Sequence, residues 1–255
     1  VDRVAAAPWH RYPDFVPADL SAGLAARHGW TPDGVLVGNG SNELLQAVLS
    51  VTLEPGTVAV APSPTFSLYR LMGGVLGAEY VSVPLGPGFG YDVDALVRTV
   101  QEREARVVVV CTPNNPTGSV LPAAGVRRLL EETGALVICD EAYAEFGGES
   151  AVPQLRESSR LVVVRTFSKA FGLAGLRFGY ALMHPAVAAE TAKAKLPYNV
   201  NRMTLEAAGA ALGHAEPLAA TVREIVARRD ASIAALRAIP GLTVFDSAAN
   251  FFLVR

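Results

Sequence analysis

Six short apolar runs, most of them rich in valine, punctuate the chain at intervals: TVAVA (57–61), EYVSVP (79–84), RVVVVC (106–111), ALVICD (135–140), LVVVRT (161–166) and RFGYAL (177–182). They lack the polar alternation of a strand with one wet face, so each must be covered on both sides, as in a helix-covered, mainly parallel sheet. Amphipathic stretches long enough for helices lie between them: SNELLQAVLSVTL, FSLYRLMGGVLG, VDALVRTVQER with Asp92 as N-cap, and AAGVRRLLEET with Pro122 at its first turn. The alternation predicts βαβ units and an α/β fold. After His184 the pattern changes to long Ala-rich helices, followed by two short strands, LTVFD and NFFLVR. A boundary is expected near Ala220, with a large domain over 1–220 and the start of a small, incomplete α+β domain over 221–255.

At 255 residues the chain can bury a large core, and 51% apolar with 18% charged residues is the make-up of an ordinary compact protein. A formal charge of -2 offers no general attraction to nucleic acid or anionic lipid, so neither is expected as a partner and any anion site must be local. No run approaches the roughly 20 apolar residues needed to cross a bilayer, and VDRVAAAPW is not ordered like a signal peptide, which predicts a soluble, cytoplasmic protein. Cys111 and Cys139 each close an apolar run and read as inert thiols at buried strand ends. The missing initial Met and a last residue inside FFLVR read as a fragment or partly ordered chain.

In open α/β sheets ligands sit beyond the carboxyl ends of the strands, and here those ends carry polar segments: TPNNPTG, DEAYAEF and FSKAFGLAGLR. Lys169 leaves a strand end among small and aromatic neighbours, where desolvation would free its amine for imine chemistry; taken alone it reads as a surface lysine. Ser168 and Arg177 supply a hydroxyl and a forked guanidinium suited to phosphate. Asp140 ends an apolar strand, where an unpaired carboxylate would cost several kcal/mol, so it either caps the DEAYAEF segment or meets a cation such as a protonated pyridine nitrogen. Tyr143 and Asn115 are placed to hydrogen-bond a phenolic oxygen on such a ring. GNGSNE is a Gly-rich turn opening a helix, either a phosphate site or a plain helix start capped by Ser41 or Asn39. Glu43 stands where GxGxxG needs its third glycine, so a dinucleotide site is unsupported. Phe66 in PSPTFSLY is either an aromatic face for a ring or plain core. No metal is called for.

GNGSNE, PSPTFSLY, TPNNPTG, DEAYAEF and SKAFGLAGLRFGY, in this order and at this spacing, cover most of residues 11–182 and resemble the fold-type I pyridoxal-5'-phosphate (PLP) aminotransferases of class I/II, above all the histidinol-phosphate aminotransferase subfamily. The resemblance implies a seven-stranded type of large-domain sheet, with catalytic Lys169, Asp140 and Tyr143. Lys169 would be the Schiff-base lysine and proton carrier, Asp140 the partner of the pyridine nitrogen, and Tyr143 with Asn115 the ligands of the phenolic oxygen. Phe66 matches the stacking aromatic, and Ser41, Asn42, Ser168 and Arg177 match the phosphate cup. HRYPD resembles the segment whose tyrosine enters the neighbouring subunit's site, which makes Tyr12 a phosphate contact in trans and implies a homodimer. LPYNVN and DSAANFFLVR make Tyr198 and Arg255 substrate contacts, though Arg255 reads more readily as a strand-end charge or part of a disordered chain end.

The implied activity is transamination of L-histidinol phosphate with 2-oxoglutarate to imidazole acetol phosphate and glutamate. The alternatives are an aromatic amino acid as donor, decarboxylation of threonine phosphate on the same fold, and a non-catalytic aminotransferase-like sensor domain. The sequence departs from the family at both ends: the amino-terminal segment that closes over substrate and the late arginine for its α-carboxylate are not in it.

Overall fold

The computed structural model describes residues 2–255. In chain order the elements are α1 (Asp2–Ala5), α2 (Ala18–His28), β1 (Val35–Gly38), α3 (Ser41–Thr52), β2 (Val58–Ser63), α4 (Leu68–Val75), β3 (Glu79–Pro84), α5 (Val93–Glu102), β4 (Val107–Cys111), α6 (Ala123–Glu132), β5 (Leu136–Asp140), β6 (Leu161–Thr166), β7 (Gly179–Met183), α7 (Pro185–Ala192), α8 (Arg202–Leu212) and α9 (Ala215–Arg237). Asp92 caps α5 as expected, its carboxylate accepting the Ala95 N–H at 2.9 Å.

The strands form one seven-stranded sheet in the order β1-β7-β6-β5-β4-β2-β3. The pairs from β3 through β6 are parallel, whereas β7 runs antiparallel to both β6 and β1. The direction changes at β7 because β6 and β7 are joined by a loop with a single 3-10 turn and no crossover helix. The first strand, VLVG, was not among the expected runs; at four residues it is too short to show a period.

Every residue of β4 is buried, and the pleat sends alternate side chains into two cores. Val108 and Val110 join Val137, Val163 and Leu182 under α2, α5 and α6. Val107, Val109 and Cys111 join Ile138, Val162 and Val164 under α3, α4 and α7. Each such valine or leucine contributes about 1.5–3 kcal/mol by leaving water, which holds the strand ends in fixed register. Cys111 and Cys139 are buried and unpaired, and burial raises the pKa of both thiols.

A third, smaller core ties α9 to the loops at the carboxyl end of the sheet, packing Leu218, Val222, Ile225 and Val226 against Ala142, Tyr143 and Phe146. Position 220, where the boundary was expected within a long helix, lies inside α9. LTVFD and NFFLVR meet through a single bridge, Val244 to Val254, rather than as two strands. A lone pair of short segments has little intrinsic stability. No described helix is long and apolar enough to cross a membrane.

Candidate active site

A cavity of about 190 Å³ opens beyond the carboxyl ends of β4, β5 and β6. It gathers residues that lie far apart in the chain: Ser41 and Asn42 at the start of α3, Phe66 after β2, Asn115 after β4, Asp140 and Tyr143 at and after β5, and Ser168, Lys169 and Arg177 between β6 and β7. Strand ends converge here because the parallel strands stop at the same level of the sheet.

The floor is acidic. Asp140 is 3% exposed, and consecutive side chains at the end of β5 point to opposite faces, so Asp140 turns toward the cavity while Glu141 turns away. The Tyr69 hydroxyl donates to Asp140 Oδ2 at 2.7 Å, and the Ala142 N–H donates to Oδ1 at 3.1 Å. The helix cap expected as one alternative is not formed: the helical turn of this segment, Ala144–Phe146, is entered at Tyr143 without a side-chain cap, and the Ala142 contact is a local turn that occupies one oxygen only. Burial raises the carboxyl pKa, and the Tyr69 and Ala142 hydrogen bonds oppose that rise. Tyr143 has its phenol pKa pushed up to about 12 by burial and then by the neighbouring Cys111 and Asp140, so it remains a donor.

The amine stands beside this floor. Lys169 Nζ lies 5.2 Å from the centre of the Tyr143 ring. The lysine lines the cavity but is exposed, in contrast to the desolvated setting expected from its apolar neighbours.

The opposite end is built for an anion. Neither Ser41 nor Asn39 caps α3 through its side chain, so the helix start keeps N–H groups open, with Gly40 at φ 83° as the N-cap. A β-carbon on Gly40 would stand 2.6 Å from Arg177 Nη2, which places the guanidinium directly against this turn. Arg177 adopts φ 54°, a left-handed conformation costing about 1–2 kcal/mol for a residue with a β-carbon. It reaches Ser168 Oγ at 3.4 Å and the Ala174 carbonyl at 3.1 Å. Gly179 of β7 passes so close to α3 that a β-carbon there would lie 2.3 Å from Ser41 N.

Three expected contacts lie outside the cavity. Tyr12 is 77% exposed and stacks on Tyr198, itself 44% exposed, at 4.7 Å between ring centres. The Tyr198 segment docks beside α3, since Asn199 Nδ2 and the Asn39 N–H both donate to Glu43 Oε2 at 2.6 Å. Arg255 is exposed, and its backbone pairs with that of Thr243. Sequence reasoning passed over Tyr69 and Glu141. Tyr69 follows Phe66 by three residues and stands edge-on to it at 5.7 Å, a helical spacing that was the available signal. Glu141 gave none beyond its place beside Asp140.

Comparison with known proteins covers the same span. The sequence pattern of the family described as Aminotransferase class I and II matches residues 2–255. The histidinol-phosphate aminotransferase of Roseiflexus castenholzii is 43% identical over 244 residues, covering 96% of this chain and 66% of that protein. That of Gloeobacter violaceus is 42% identical over 247 residues, covering 96% and 70%. The chain thus spans about two thirds of the length of these relatives. The crystal structure of histidinol-phosphate aminotransferase from Sinorhizobium meliloti in complex with pyridoxal-5'-phosphate matches with a TM-score of 0.90 and 30% identity, over 99% of this chain and 70% of that one.

Proposed function

The chain belongs to the class I and II aminotransferase family, and from that membership we propose that it binds PLP and transfers the amino group of L-histidinol phosphate to 2-oxoglutarate. The observation that carries the reading is the convergence, in one cavity, of a primary amine, a buried carboxylate and a cluster of phosphate donors. This donor set fits the cofactor. Asp140 is an acceptor for a cationic ring nitrogen, Tyr143 and Asn115 can donate to a phenolic oxygen, and Ser41, Asn42, Ser168 and Arg177 surround the place for a phosphate at a helix start.

When bound, PLP supplies an electron-withdrawing ring that accepts the electron pair of the substrate's Cα–H bond. The protein's part is to position and to move protons. Asp140 holds the proton on the ring nitrogen, Phe66 covers the ring, and Lys169 Nζ is the covalent anchor. Lys169 Nζ would also serve as the general base that takes up the proton from the substrate's α-carbon and gives it back to complete the transfer.

The same reading extends to the assembly and its setting. The exposed side chains of Tyr12, Phe15 and Tyr198 support a homodimer in which Tyr12 approaches the phosphate of the neighbouring site. Tyr198 and Arg255 are read as substrate contacts. Residues 1–220 are read as the cofactor-binding body and 221–255 as the start of a small domain, in a cytoplasmic enzyme of amino-acid biosynthesis.

Steady-state rates with histidinol phosphate, phenylalanine and tyrosine as donors test the substrate. Higher kcat/KM for histidinol phosphate is expected, and a large preference for phenylalanine would overturn the choice. Lys169→Ala is expected to abolish transfer while the far-ultraviolet circular dichroism is unchanged; retained turnover refutes the assignment.

A further inference from the structure

Asp140 is braced from behind by a residue that does not line the cavity. Tyr69 is 2% exposed and packs within the core beneath α3 and α4, with its ring edge-on to Phe66. That packing sets the ring, and its hydroxyl donates to Asp140 Oδ2 at 2.7 Å across 71 residues of sequence. The other oxygen takes the Ala142 N–H. Two donors from the protein, one on each oxygen, suit an ionised carboxylate, which only accepts; a neutral carboxylic acid would offer a donor on one of them. Burial works against ionisation here, and the Tyr69 hydrogen bond is the first of the influences that oppose it. Tyr69 stays a donor, since burial and the Asp140 charge raise its own pKa well above that of a free phenol.

We propose that Tyr69 is a positioning residue that keeps the Asp140 carboxylate ionised and aimed into the cavity, so that Asp140 retains the proton on the ring nitrogen of the bound cofactor. The proposal rests on the reading of this cavity as the PLP site. Tyr69 acts through Asp140 and touches neither cofactor nor substrate. A phenylalanine fills the same space between α4 and the sheet, so the hydroxyl separates this role from packing.

Tyr69→Phe is the test, in purified protein given PLP. Equilibrium dialysis is expected to show cofactor retention weakened roughly 10- to 100-fold, the range for a lost hydrogen bond to a charged group. A ring nitrogen that loses its positive charge no longer repels the proton on the nitrogen joining Lys169 to the cofactor. The pH midpoint of the visible absorbance therefore moves upward by roughly half a unit or more. Transfer is expected to lose kcat while the donor KM stays within about twofold. In an Asp140→Asn background the same substitution should add no further loss, because its effect runs through the carboxylate. Retention within about twofold of the parent with an unmoved midpoint, or a full additional loss in the Asp140→Asn background, overturns the proposal. A parent protein that shows no visible band with PLP overturns the active-site reading and this proposal together. A parent band, with Tyr69→Phe retention within about twofold and its midpoint unmoved, overturns this proposal alone.

Discussion

Replacing Arg165 with methionine removes the positive centre of a buried ion cluster on the face of the sheet turned away from the cavity. Arg165 Nη2 donates to Glu141 Oε2 at 2.6 Å and to Ser150 Oγ at 2.9 Å, and Nη1 donates to Glu145 Oε1 at 3.1 Å. The Glu141 side chain is 0% exposed, so a charge left there without its partner has no water to turn to. Breaking such a pair from one side costs about 3–5 kcal/mol. Glu141 keeps the Ala151 N–H at 2.6 Å and the Ser150 hydroxyl at 2.8 Å, which places Arg165→Met near the lower bound, about 3 kcal/mol. Arg165 Nε has no acceptor among the described residues, so the apolar replacement forfeits nothing at that atom. At about 2–4 °C per kcal/mol for a chain of this size, the thermal midpoint should fall by roughly 6–12 °C. The Arg165→Met, Glu141→Gln double variant should recover about 1.5 kcal/mol or more relative to additive losses, because the more deeply buried of the two carboxylates left without Arg165 is neutralised. Differential scanning fluorimetry on the parent, both single variants and the double variant measures the cycle. A single variant within about 1 kcal/mol of the parent, or strict additivity in the double, refutes the argument.

Two further outcomes follow from the same packing. The His28 ring, 2.8 Å from the Tyr180 hydroxyl, has its pKa lowered from 6.5 to about 4, by burial first and then by the charges of Arg165 and Arg27. The unfolded chain takes up a proton that the native state refuses, so this site's contribution is whole above pH 6.5 and is lost as pH falls toward about 4. His28→Asn should flatten the urea midpoint over that window, and an unchanged slope would contradict the assignment. Gly179→Ala forces a methyl group onto the Ser41 backbone and should destabilise by about 1–3 kcal/mol, with weaker phosphate-dependent cofactor binding. A neutral result in urea denaturation would mean that β7 and α3 move apart freely.

The α/β class and the parts of the cavity were legible before any coordinates, because both are written in near neighbours. A fully buried strand must be apolar at every position, as Val107 through Cys111 are, and the polar residues that follow it must lie at its carboxyl end. Asp140, Asn115 and Lys169 could therefore be picked out one by one. The four residues of VLVG are too few to declare a strand, and β1 owes its place to pairing with β7 about 140 residues later. The reversed direction of β7 depends on the loop that leads into it, not on its own composition.

What the chain alone determined is local: which segments are apolar on every side, where each turns polar, and which chemistry stands at each turn. Tertiary structure decided the rest, including that Tyr69 braces Asp140, that Glu141 and Arg165 neutralise each other behind the sheet, and that Tyr12 lies on Tyr198 outside the cavity. The physical reason is range. A residue's periodic neighbours decide whether it must be buried, but its hydrogen-bond partner is chosen by the packing of helices and strands that sequence places tens to hundreds of residues away.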